Sequence, residues 1–117
     1  MTALSERIAS AADIDEGTAQ QAIGFILAFM REESDDPAVA EMIGKTPGAA
    51  EASASVGEVE FGGAGIMGLG AKLMGLGLDM GQIRSVAEEL VADARVQAGD
   101  ETVNQAIASV PALAQFV

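Results

Sequence analysis

The chain has no cysteine, histidine, tyrosine or tryptophan. Each absence removes a class of chemistry. Without cysteine there is no disulfide and no thiolate site, and nothing in the sequence marks a redox compartment. Without histidine, cysteine or tyrosine, acid–base or nucleophilic catalysis would fall to carboxylates, serine, lysine or arginine alone. Aromatic residues come down to four phenylalanines, so the core must be built from Ala, Leu, Ile, Val and Met. Small and aliphatic side chains of that kind favour helices that approach closely. Positive charge is also scarce, with six basic residues against eighteen acidic ones and a net charge of −12. A surface of that sign repels phosphate backbones, so no nucleic acid is expected as a partner. The start, Met1 to Arg7, lacks the basic region and long apolar run of a secretory signal, and a cytoplasmic location is expected.

What is present points to helices. Half of the 117 residues are hydrophobic, enough to fold despite the acidity. A chain of this length can bury roughly 65% of its unfolded surface as one domain. Leu4, Ile8 and Ala11 or Ala12 share a face over 2–12, with Thr2 as N-cap. Asp15 is placed to cap a long helix from Glu16 to Glu33, whose stripe is Ala19, Ala22, Ile23, Ile26, Leu27 and Met30, widened by Phe25 and Phe29. Asp36 and Pro37 open a third helix with Val39, Met42 and Ile43 inward, ending near Gly44. Thr46-Pro47 repeats that cap-then-proline signal before a short Ala-rich turn to about Ala54. Val56, Glu58 and Glu60 alternate as a strand would, but a lone strand has no partner.

Eight of the fourteen glycines lie between Phe61 and Gly81. Within that stretch Met67 to Leu76 sets Leu69, Leu73 and Leu76 on one side of a helix that its glycines weaken by up to about 1 kcal/mol each. Asp79 and Gln82 form a capping box for a helix over Met80–Ala98, with the stripe Ile83, Val86, Ala87, Leu90, Val91 and Ala94. Gly99 ends it and Asp100 caps the next, which carries Val103, Ile107 and Val110. Pro111 opens a last turn in which Leu113 and Phe116 close the core.

A shift of 64 residues aligns the two halves without a gap. Asp15 falls on Asp79, Gly17 on Gly81, Arg31 on Arg95, Asp36 on Asp100, Val39 on Val103, Ile43 on Ile107, Pro47 on Pro111 and Ala50 on Ala114. Every stripe position of the first long helix lands on one of the second. The expected architecture is therefore all-α: a compact bundle of about six helices, built from two tandem three-helix repeats (2–50 and 67–117) joined by an Ala/Ser/Gly-rich linker (51–66). The two long helices should pack on each other about a pseudo-two-fold axis.

Motif by motif, the chemistry thins out. Gly63-Ala64-Gly65-Ile66-Met67-Gly68 is a formal G-x-G-x-x-G with Glu88 twenty residues on, but no buried strand precedes it and helices follow. Gly65 to Lys72 misses a phosphate-binding loop, because Ala71 intervenes and Leu73 stands where Ser or Thr is required. Asp13 to Gly17 hints at a calcium loop, yet the glycine is one place early and the twelfth position is Gly24. Glu88, Glu89 and Asp93, and Glu32, Glu33, Asp35 and Asp36, are read as solvated faces, with Arg31 and Arg95 at helix C-termini pairing with them. No catalytic, cofactor-binding or metal-binding residue is expected.

The residues Asp15 to Ala22, the run Leu76-Gly77-Leu78-Asp79-Met80-Gly81-Gln82-Ile83, and the ending Val110-Pro111-Ala112-Leu113-Ala114-Gln115-Phe116-Val117 resemble small bacterial helical domains of the VcgC/VcgE-like kind. The resemblance implies a bacterial, mostly helical protein; such families have no established activity, and no functional residue is carried over. The expected function is that of a non-catalytic acidic module acting by protein–protein contact or as a homodimer, through a patch of Met67, Leu69 and Met74. The alternative is contact with a membrane or lipid through 61–81, since Phe61 to Leu78 carries only Lys72 as a charge and has small-x-x-x-small pairs. A central lysine costs about 3 kcal/mol in a span, which weighs against that reading. An enzyme or small-molecule binder is the third class.

Overall fold

A helix whose apolar side chains fall on one stripe must bury that stripe against another. The computed structural model describes residues 3–57, 59, 61 and 65–114, among which there are eight helices and no strand. In order they are α1 (Ala3–Ala12), α2 (Glu16–Glu33), α3 (Pro37–Lys45), α4 (Ala49–Val56), α5 (Ile66–Gly75), α6 (Met80–Ala98), α7 (Asp100–Ala108) and α8 (Pro111–Ala114). The chain is all-α, as expected, but with two more helices than the expected six. α4 and α8 lie where the sequence offers only short turns.

The long helices α2 and α6 touch and carry the centre of the core. All six stripe positions of α2 are buried, as are those of α6 except the half-buried Val91. Around this pair, α1 packs on both α2 and α6, α5 packs on α2, and α3 packs on α7 and α6. The radius of gyration is 12.5 Å, close to the roughly 13 Å of a folded chain near this length.

Helix α4 shows why a stripe of large residues is not required. It covers α2 with Ala49, Ala52 and Ser53, all buried. A Cβ on Gly24 of α2 would collide with the carbonyl oxygen of Ala52. One glycine therefore lets two helix backbones meet, and the contact is made by small groups. The expected linker, begun at residue 51, loses its first six residues to this helix.

The helix ends follow the expected chemistry in part. Asp36 accepts from the Ala38 N–H at 2.9 Å, and Asp79 and Gln82 close both arms of the capping box at 2.8 and 3.0 Å. Three caps are corrected. Asp15 sits at the N-cap of α2 but accepts no capping hydrogen bond. Gly99, at φ 92°, is the N-cap of α7, which moves Asp100 into the first turn, where its charge still suits the helix dipole. Thr46 does not start α4; its hydroxyl donates back to the Met42 carbonyl at 2.7 Å and helps close α3. Asp13, at φ 58°, ends α1 in the left-handed region that aspartate tolerates, so the apparent calcium-loop start is a helix stop followed by a helix start. Thr2, Glu58, Glu60, Gly63 and Phe116 lie outside the described residues, whereas Leu113 is buried as expected.

Candidate functional site

Helix α5 is the element on which the candidate patch stands. Its approach is fixed by Phe61, a buried ring packed edge-on against Phe29 of α2 with centroids 5.4 Å apart. The Phe61 carbonyl lies where a Cβ on Gly68 would have to go, so Gly68 is a glycine for internal packing. Lys72 sets its ammonium 5.9 Å from the centre of the same ring. A cation over an aromatic face is held there by the ring quadrupole. The last glycine of the apparent nucleotide fingerprint thus has a packing use, and no strand precedes it among the described residues.

The three predicted patch residues separate. Met67 and Met74 are 76% and 52% exposed, but Leu69 is 2% exposed and is corrected from surface to core. Leu69 and Leu73 share the face of α5 that packs inward, four residues apart, while Met67 and Met74 share the opposite face seven apart. Between the methionines at i+3 and i+4 lie Gly70 and Ala71, which complete a narrow outer stripe. A Cβ on Gly70 would meet no atom of another element within 4 Å among the described residues. The i, i+3, i+4, i+7 spacing is present in the sequence, hidden behind the larger leucine stripe on the other face. Helix α5 carries no acidic residue, in a chain with eighteen.

The charged clusters behave differently from one another. Glu88 is exposed, as are Glu32, Glu33 and Asp35, whereas Asp93 is buried, a correction to its place on a solvated face. Arg7 of α1 donates to the Asp93 carboxylate at 2.7 Å and ties α1 to α6. Arg95 donates to Asn104 at 2.7 Å and lies 3.6 Å from Asp100, not beside the acids of its own helix. Arg31 donates to the Ser53 hydroxyl at 3.2 Å and makes no ion pair among the described residues.

Among the described residues no group of three or more acidic side chains is placed to hold a metal ion. Two apolar clefts flank Leu113, one bounded by Met30, Leu90 and Ala94 and one by Ile66, Leu69 and Ile83. At about 10 and 30 Å³ they hold no more than a water or two. No described helix is long and apolar enough to cross a membrane; α5, with ten residues, spans about 15 Å. Comparison with protein-family models, with curated proteins and with solved structures finds no match for this chain.

Proposed function

We propose that the chain is a cytoplasmic, non-catalytic helical module that self-associates through the outer face of α5. One observation carries this: Met67 and Met74 stand exposed on one face of a helix whose half-buried Gly70, between them, would place a Cβ within 4 Å of no other described element. A mid-helix glycine costs about 1 kcal/mol relative to alanine. That cost is offset if a partner helix approaches closely there, with flexible methionines packing on either side.

We read the two halves as copies of one unit, and that reading supports the same proposal. Shifted by 64 residues, α2 falls on 80–97 against Met80–Ala98 for α6, and α3 on 101–109 against Asp100–Ala108 for α7. The packing is reciprocal in part: α1 lies on α6, α5 on α2, and α3 on α7, while α4 on α2, α1 on α2 and α3 on α6 have no counterpart of like extent. On that register the residues matching Met67, Gly70, Ala71 and Met74 are Ala3, Glu6, Arg7 and Ser10 of α1, all exposed. Equivalent faces of the two copies are thus largely polar on α1 and apolar on α5. Only one has the composition of an interface.

Lipid contact through the same face is the weaker reading, because a net charge of −12 opposes approach to an anionic bilayer. Sedimentation velocity tests the proposal. A concentration-dependent dimer is expected, weakened at least ten-fold in the Met67→Glu/Met74→Glu variant with its helical circular dichroism unchanged. A wild-type chain that stays monomeric at high concentration would overturn it, and flotation of that monomer with liposomes would favour lipid instead.

A further inference from the structure

A groove of about 300 Å³ runs between the C-terminal end of α2, α3 and α4. That volume is at the lower end of the range in which proteins hold small molecules. Its wall includes Ala40, Ile43, Gly44 and Ala54, and of the residues lining it Arg31 alone is charged. Ser53, 5% exposed, lines it beside Arg31. The Ser53 oxygen accepts from Arg31 at 3.2 Å, while its own proton is donated to nothing among the described residues. A buried hydroxyl donor and a guanidinium without a carboxylate therefore converge at one place on an apolar wall. Arg31 is exposed, so water meets its remaining N–H groups, and a carboxylate is the acceptor whose geometry suits a guanidinium fork.

The other half of the molecule provides an internal comparison. Arg95, in register with Arg31, is engaged by Asn104 and Asp100. The residue in register with Asn104 is Ala40, and the one in register with Asp100 is Asp36, which is occupied with the Ala38 N–H and the Gln105 amide. Neither residue in register with the partners of Arg95 engages Arg31, and Ala40, in register with Asn104, lines the groove. Arg84, exposed on α6, likewise makes no ion pair among the described residues; what sets Arg31 apart is the apolar groove beside it.

We infer that this groove is a binding site for a short aliphatic monocarboxylate, with the carboxylate on Arg31 and Ser53 and the alkyl tail along Ala40, Ile43, Gly44 and Ala54. The site is separate from the outer face of α5 and does not depend on self-association.

Titration of the isotope-labelled chain with sodium octanoate, followed by amide NMR, tests the inference. Saturable shifts are expected at 40–44 and 50–54, with affinity rising about four-fold for each methylene between hexanoate and octanoate. Arg31→Gln should weaken octanoate at least ten-fold and Ser53→Ala several-fold. Arg95→Gln should leave the affinity unchanged. Ala54 is exposed, so Ala54→Phe fills the groove without disturbing the core and should abolish the shifts, whatever Arg31→Gln does to folding. No saturable binding of octanoate by the folded chain would overturn the inference. So would equal binding of octan-1-ol, full affinity in Arg31→Gln, or shifts centred on α5 or on Leu113.

Discussion

A carboxylate closed off among helices depends on its partner, and Asp93 depends on Arg7. The Asp93 side chain is 8% exposed and the Arg7 side chain 59%. Removing the arginine strands a desolvated acid, while removing the acid only frees an arginine that already reaches water. Arg7→Ala should therefore lower unfolding free energy by about 1–2 kcal/mol, and Asp93→Asn by less, read from urea titrations followed by far-UV circular dichroism. Glu41 is a second such case on the surface. Lys45, through its hydrogen bond and its charge, and then Thr102 of α7 hold the Glu41 carboxyl below the usual glutamate range. A depressed folded-state pKa means that the stabilisation is complete above the unfolded-state pKa and is lost as pH falls through the folded one. A carboxyl-carbon NMR titration should show Glu41 protonating at a lower pH than a free glutamate, with Lys45→Gln moving it back up. The Glu41–Lys45 pair has the i,i+4 spacing of helix neighbours, but the other two contacts are not legible in the sequence, because 86 residues separate Arg7 from Asp93 and 61 separate Thr102 from Glu41. Leu69 was misplaced for a related reason: its apolar character is plain, but which face of α5 meets α2 is decided by packing.

Among the helices, those with a stripe of large side chains could be read directly, and the one built on small side chains could not. The stripes and bounds of α2 and α6 follow from spacing and caps. Helix α4 has only Ala, Ser, Glu and a single Val, and its burial exists because Gly24 lets the two backbones meet. The same residue type has opposite meanings in α2 and α5, and substitution separates them. Gly24→Ala forces a methyl group against the Ala52 carbonyl; overpacking of that kind costs about 1–3 kcal/mol, and the gain in helix propensity recovers about 1. A net loss of up to about 2 kcal/mol is expected on thermal unfolding. Gly70→Ala meets open space, so the monomer should gain up to about 1 kcal/mol. If α5 is the self-association face, that same variant should weaken the dimer in sedimentation while stabilising the monomer.

At the scale of the molecule, the reciprocal packing of α1 on α6 and α5 on α2 interlocks the two halves of the chain. A single cooperative transition is expected on urea denaturation, with circular dichroism and hydrogen exchange of the α2 and α6 amides giving the same midpoint. Two separated transitions would show that the halves fold independently. With no tryptophan or tyrosine, intrinsic fluorescence offers no third probe. The interlock also sets an order of events during synthesis. Arg7 leaves the ribosome 86 residues before Asp93, which at about 5–20 residues per second is a delay of about 4–17 s. Through that interval the faces of α1 and α2 that end up against α6 have nothing to cover them. Folding of the first half therefore waits on translation of the second, and the nascent chain passes through a stage in which Ile26 and Met30, which end up beside Ala87 and Leu90 of α6, are open to chaperones.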